Sequence, residues 1–156
     1  MNIISTPDKI TALIARLKKQ KKTISFTNGC FDLVHRGHVQ YLEKAKSLAD
    51  ILVLGLNSDE SVKKLKGSNR PYIVFEDRAF ILSRLESVDI VCIFEEETPI
   101  NLIKKVKPDF LIKGGDYLAE QIVGKDFVES YKGKVITIPF VEGKSSTELI
   151  KIIKSN

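Results

Sequence analysis

The chain has 156 residues, 43% hydrophobic and 29% charged, with 25 Lys and Arg against 20 Asp and Glu. That is the length and balance of one globular domain with a full core, and no apolar run nears the ~20 residues that cross a bilayer. Cys30 and Cys92 are too few for a disulfide framework, while the net charge of +5 suits anionic ligands: nucleotides, sugar phosphates or nucleic acid. The opening Met1-Asn2-Ile3-Ile4-Ser5-Thr6-Pro7-Asp8 lacks the charged start and apolar stretch of a signal peptide. A cytoplasmic location is therefore expected.

Ile10, Leu13, Ile14 and Leu17 share one helical face, with Thr6 as cap and Pro7 at the first position. A β-branched run at 23–27 reads as a buried strand. Val39, Leu42, Ala45 and Ala49 face one side of a helix starting near Gly37 or His38, and 51–56 is a second strand. Ala79, Leu82 and Leu85 mark another helix, 89–94 a third strand, and Ile100, Ile103 and Val106 a further helix. Strands at 109–112 and 134–138 follow, then a last helix through Leu149, Ile150 and Ile153. Strands separated by helices predict an α/β fold: a Rossmann-like, doubly wound, parallel five-stranded sheet with helices on both faces. No repeat, low-complexity tract or linker interrupts it, so residues 1–156 read as a single domain. The Lys clusters at 18–22 and 104–105 read as solvated helix ends.

In such a sheet, ligands sit beyond the carboxyl ends of the strands. After the first predicted strand come Asn28 and Gly29, and Gly29 lets backbone approach a ligand closely. Gly37 eases the entry to a helix whose N-terminus is a natural phosphate seat. His35 and His38, the only two histidines, can point imidazole donors into it. Two other readings stay open: plain surface or structural histidines, or part of a metal site with Cys30 or Asp32, for which no closed ligand set is evident. Phe31 reads as core. Lys66 and Arg70 flank Gly67 in a basic segment that can close over a triphosphate, or can be a solvated helix end. Gly114 and Gly115 suggest a turn near a ligand, with Asp116 an acceptor for a sugar hydroxyl; a plain tight turn is the alternative. Ser145 and Glu148 fit a capping box, which leaves Lys144, Ser146 and Thr147 to face phosphate.

Gly29-Cys30-Phe31-Asp32-Leu33-Val34-His35-Arg36-Gly37-His38 resembles the Gly-x-Phe-Asp-x-x-His-x-Gly-His signature of the cytidylyltransferase-like nucleotidyltransferases. With Thr27-Asn28 ahead of it, the segment is similar to the branch of that family that makes ADP-heptose. Lys64-Leu65-Lys66-Gly67, Arg70-Pro71, Glu76-Asp77-Arg78, Val88-Asp89, Thr98-Pro99, Pro108-Asp109 and Lys113-Gly114-Gly115-Asp116-Tyr117 continue the likeness in order. Related glycerol-phosphate cytidylyltransferases carry an Arg where Phe140 stands, which argues against that branch.

The resemblance implies transfer of AMP from ATP, with Mg²⁺, to a heptose 1-phosphate, releasing pyrophosphate. A phosphate monoester has a second pKa of about 6, so this nucleophile needs no general base. Residues and resemblance together predict His35, His38 and Lys66 as catalytic groups. They predict a nucleotide site of Thr27, Asn28, Gly29, Cys30, Phe31, His35, Gly37, His38, Arg70, Lys144, Ser145, Ser146 and Thr147. The acceptor site is expected at Asp32, Gly114, Gly115 and Asp116, with no residue ligating metal directly. A homodimer is implied, as are a separate kinase and phosphatase that supply the sugar phosphate. The alternatives are transfer of AMP to flavin mononucleotide or of CMP to an alcohol phosphate, or a nucleotide sensor without turnover. Nucleic-acid binding rests on charge alone, without the Arg–aromatic clustering of a stacking platform, and is ranked last.

Overall fold

The computed structural model describes residues 3–115, 121–139 and 146–155. In chain order the elements are β1 (Ile3–Ser5), α1 (Pro7–Lys19), β2 (Ile24–Gly29), α2 (Arg36–Lys46), β3 (Ile51–Asn57), α3 (Asp59–Lys66) and α4 (Phe75–Ser83). Then come β4 (Ile90–Phe94), α5 (Ile100–Val106), β5 (Phe110–Gly114), α6 (Lys125–Glu129), β6 (Lys134–Ile138) and α7 (Ser146–Ser155). The strands form one sheet in the order β1-β4-β3-β2-β5-β6, and every described pairing is parallel.

Alternate residues of each strand feed opposite faces, and both faces are covered. On one, Phe26, Val53, Cys92 and Leu111 pack with Ile10, Ile14 and Leu17 of α1 and Leu102, Ile103 and Val106 of α5. On the other, Leu52, Leu54, Leu56, Val91 and Ile112 pack with Leu42 and Ala45 of α2 and Ala79 and Leu82 of α4. Covered on both sides, β3 is buried at all seven positions. A strand so placed reads as a continuous apolar run, which is why its sequence announces it.

The sheet has six strands where five were expected. The extra one, β1, pairs Ile3, Ile4 and Ser5 with Ile90, Val91 and Cys92. Three residues at a sheet edge are too few to display a period. Helices α3 and α6 are also additional, while Ala49 and Leu85 lie beyond the ends of α2 and α4. Thr6 caps α1 through its backbone, with Pro7 at the start and no side-chain capping bond. Among the described residues no helix is long and apolar enough to cross a membrane. Asp116, Phe140, Lys144 and Ser145 lie outside the described residues.

The chain lays β3 and β4 on one side of β2 and then crosses to place β5 on the other. That reversal is a topological switch point, where doubly wound sheets hold their ligands. The β2–β5 ladder runs only over Ser25↔Phe110 and Phe26↔Leu111. Beyond it, the carboxyl ends of both strands are left to build a cleft.

Candidate active site

The cleft encloses about 820 Å³ above this switch point. Its wall includes Asn28, Gly29, Cys30, Phe31, Asp32, His35, Gly37, His38, Lys66, Gly114, Ser146 and Thr147. Twelve positions expected from sequence thus converge on one cavity. Its floor is held by Tyr41, whose hydroxyl lies 2.5 Å from Thr27 Oγ1 and donates to the Ile112 carbonyl at 3.5 Å. It bridges β2 and β5 where their ladder ends. Burial pushes its phenol up to about 12, so it stays protonated there. Thr27 is therefore a buried strut below the cleft, not part of its lining.

The turn from β2 into α2 is tightly built. A Cβ on Gly29 would stand 2.9 Å from the Phe31 ring, so that position has room only for glycine. Phe31 takes φ 45°, an uncommon value for a bulky residue, and is 6% exposed. Its ring packs against His38 at 5.1 Å between centroids. Local strain of this kind persists only where the surroundings over-determine it.

His35 is the N-cap of α2, and its Nδ1 accepts the Gly37 amide at 3.1 Å. Accepting there leaves the ring proton on Nε2 and withdraws one first-turn amide from any bound anion. The ring stacks on His38 with centroids 3.9 Å apart. Burial, then the neighbouring His35 and Lys66, lower the His38 pKa to about 4, against the pull of a hydrogen bond to the Leu33 backbone. At neutral pH His38 is uncharged. Its Nδ1 is buried without a partner, a condition shared among the described side chains only by Arg70 Nη2. Buried polar atoms are seldom left so.

Asp32, expected at the acceptor, is committed inside the protein. It is 2% exposed. One oxygen takes Arg70 Nε at 2.6 Å, and the other takes the Tyr72 and Ile73 amides at 2.8 and 2.9 Å. Burial raises its pKa, but these donors outweigh burial and hold it below the usual carboxylate range. Arg70 stands behind the wall, on Asp32 and over the Tyr72 ring. Gly115 is a turn residue at φ 104°, its amide on the Ile138 carbonyl at 2.9 Å. Ser146 donates to the Leu33 carbonyl at 3.3 Å, bringing the start of α7 to the β2–α2 turn.

Three lining residues escaped the sequence reading altogether, Gln40, Tyr41 and Lys44, while Asn57, Glu97 and Lys113 stand just past predicted strands, where a ligand is expected. Lys113, next to Gly114 at the end of β5, is set beside Cys30, and burial lowers its pKa. Burial raises the pKa of the Cys30 thiol despite nearby Lys66, Arg78 and Arg70.

Residues 26–152 match the family model described as cytidylyltransferase-like. The chain belongs to the cytidylyltransferase-like family. It is 52% identical over 149 residues to the bifunctional protein HldE of Geobacter sulfurreducens, covering 95% of this chain and 30% of that protein. To HldE of Aliarcobacter butzleri it is 54% identical over 153 residues, covering 98% of the chain and 31% of the relative. The chain thus spans about a third of these relatives' length. Its fold is shared with a lipopolysaccharide core biosynthesis protein of Thermoplasma volcanium GSS1, with TM-score 0.62, 24% identity, and coverage of 79% of this chain and 99% of that one. Family membership agrees with the nucleotidyltransferase expected from the His35-Arg36-Gly37-His38 segment.

Proposed function

We propose that this domain transfers AMP from ATP to D-glycero-β-D-manno-heptose 1-phosphate, releasing pyrophosphate and giving ADP-heptose for lipopolysaccharide or surface polysaccharide synthesis. The observation that carries the reading is the partnerless His38 Nδ1, buried beside the N-terminus of α2 at the switch-point cleft. An anion seated there supplies the missing partner. With its other nitrogen held at the Leu33 backbone, Nδ1 donates to a phosphate oxygen when the ring takes up a proton. A triphosphate's negative charge favours that uptake.

The acceptor phosphate is the nucleophile and arrives dianionic, so catalysis is alignment and stabilisation of charge at the α-phosphorus and the leaving pyrophosphate. His35 and His38 serve that centre. Lys66, Ser146 and Thr147 hold the outer phosphates, together with Lys144 and Ser145, while Arg70, expected among them, supports that wall from behind. Asn28, Gly29, Cys30, Phe31 and Gly37 shape the nucleotide wall. Gly114, Gly115 and Asp116 face the sugar, while Asp32 anchors Arg70 behind the wall.

Mg²⁺ enters with ATP. Among the described residues no three His, Cys, Asp or Glu converge as a metal cage, and Asp32 is already spent on Arg70 and two amides. The donor set fits an ion carried on phosphate oxygens and water, where it would neutralise charge on the triphosphate. The setting proposed is a cytoplasmic homodimer acting on small molecules rather than nucleic acid.

The test is pyrophosphate release from ATP with the β-heptose 1-phosphate, against the α-anomer and glycerol 3-phosphate. Turnover confined to the first is expected. ATP binding without turnover on that acceptor would remove the named substrate and favour a sensor.

A further inference from the structure

Arg78 is 0% exposed and lines no part of the cleft, yet its guanidinium joins three separate segments around it. Nε donates to the Ile73 carbonyl at 2.9 Å and Nη1 to the Cys30 carbonyl at 2.5 Å. Nη2 donates to the Asn57 carbonyl at 3.0 Å and to Asp59 Oδ1 at 2.6 Å. A buried guanidinium is tolerated only when its donors are met in good geometry, and three backbone carbonyls plus a carboxylate do so here. Cys30 and Asn57 lie at the ends of β2 and β3, and both line the cleft. Asp59 opens α3, and its second oxygen accepts the Phe75 amide at the start of α4.

Ile73 is the informative contact. Its carbonyl is held by Arg78, while its amide, with that of Tyr72, is held by Asp32. Asp32 in turn grips Arg70, whose Nη2 is the second buried nitrogen left without a partner. The segment carrying Arg70 is thus clamped from two sides by groups that meet at one residue. A planar fork can set the distances among three chain segments at once; a single ammonium cannot.

We propose that Arg78 is a positioning residue for nucleotide binding, acting through Ile73 and Asp32 to hold the Arg70–Asp32 pair that backs the cleft wall while fixing the Cys30 and Asn57 ends of that wall. The inference rests on the nucleotide reading of the cleft. Arg78→Lys retains the charge and loses the fork. Asp59→Asn, at a side chain 29% exposed, weakens the same clamp with little risk to folding.

Both variants should be compared with the wild type by titration with α,β-methylene ATP, by steady-state kinetics, and by amide exchange of Tyr72 and Ile73. In Arg78→Lys, affinity for the analogue should fall by about 10-fold or more, the scale of one charged hydrogen bond. The KM for ATP should rise with it, and the two amides should exchange faster while those of β3 and β4 do not. Asp59→Asn should show the same pattern more weakly, and it carries the test should Arg78→Lys not fold. Unchanged exchange at Tyr72 and Ile73, with unchanged affinity in a folded variant, overturns the proposal and leaves Arg78 a stabiliser of the core. A wild type that does not bind the analogue overturns the nucleotide reading instead, and the exchange data still decide whether the clamp exists.

Discussion

The two ends of the sheet treat their polar groups in opposite ways. At the amino ends, carboxylates stitch one strand start to the next. Asp50 accepts both the amide and the hydroxyl of Thr23, Asp109 accepts the Ile24 amide, and Asp89 accepts the Leu52 amide together with Lys46. At the carboxyl ends, the chain holds Phe31 at positive φ and leaves His38 Nδ1 and Arg70 Nη2 buried and partnerless. One end is built for stability and the other keeps polar groups in reserve. Polar groups left unmet in a native protein call for an explanation, and a catalytic role is one.

That contrast makes separable predictions. The largest effect should follow His38→Ala: turnover in the pyrophosphate assay drops about 10²–10³-fold, the scale of one lost oxyanion donor, with a melting temperature close to that of the wild type. Full turnover in the folded variant would end the assignment.

Asp89→Ala should do the reverse. It strands the Leu52 amide and removes one of the partners of Lys46, so denaturant unfolding should register a loss of about 1–3 kcal/mol. The KM for ATP should not move. A raised KM would mean that the two ends are coupled through β3 and β4.

A third measurement sharpens the carboxyl end. NMR titration of the free protein should place the His38 midpoint at about 4, and adding the nucleotide analogue should shift it upward. A midpoint that ignores the nucleotide would argue against phosphate at Nδ1.

The smallest effect is expected at Asp50. The Thr23 amide and hydroxyl and then Lys22 lower its pKa to about 2. A carboxylate depressed on folding stabilises above its unfolded pKa of about 3.9, and the contribution is lost as pH falls through about 2. Asp50→Asn should therefore flatten the acid limb of the stability profile slightly and leave ATP binding alone.

Sequence by itself determined the parallel α/β architecture, because strands covered on both faces must be apolar throughout and the helices between them must carry one apolar face. It also pointed to the cleft, since Gly29, His35, Gly37 and His38 fall within one short turn whose chemistry is local. What it could not reach were arrangements made by residues far apart in the chain. The edge strand β1 exists only because β4 accepts it. Asp32, in the middle of the recognised motif, proved to be a clamp for a loop some 40 residues onward. Arg78 and Tyr41 hold the cleft open from below, through carbonyls and a hydroxyl that no side-chain pattern records. Only the folded chain decides which donors those contacts consume and which remain for a ligand, because a hydrogen bond is satisfied by whatever the tertiary structure brings within reach.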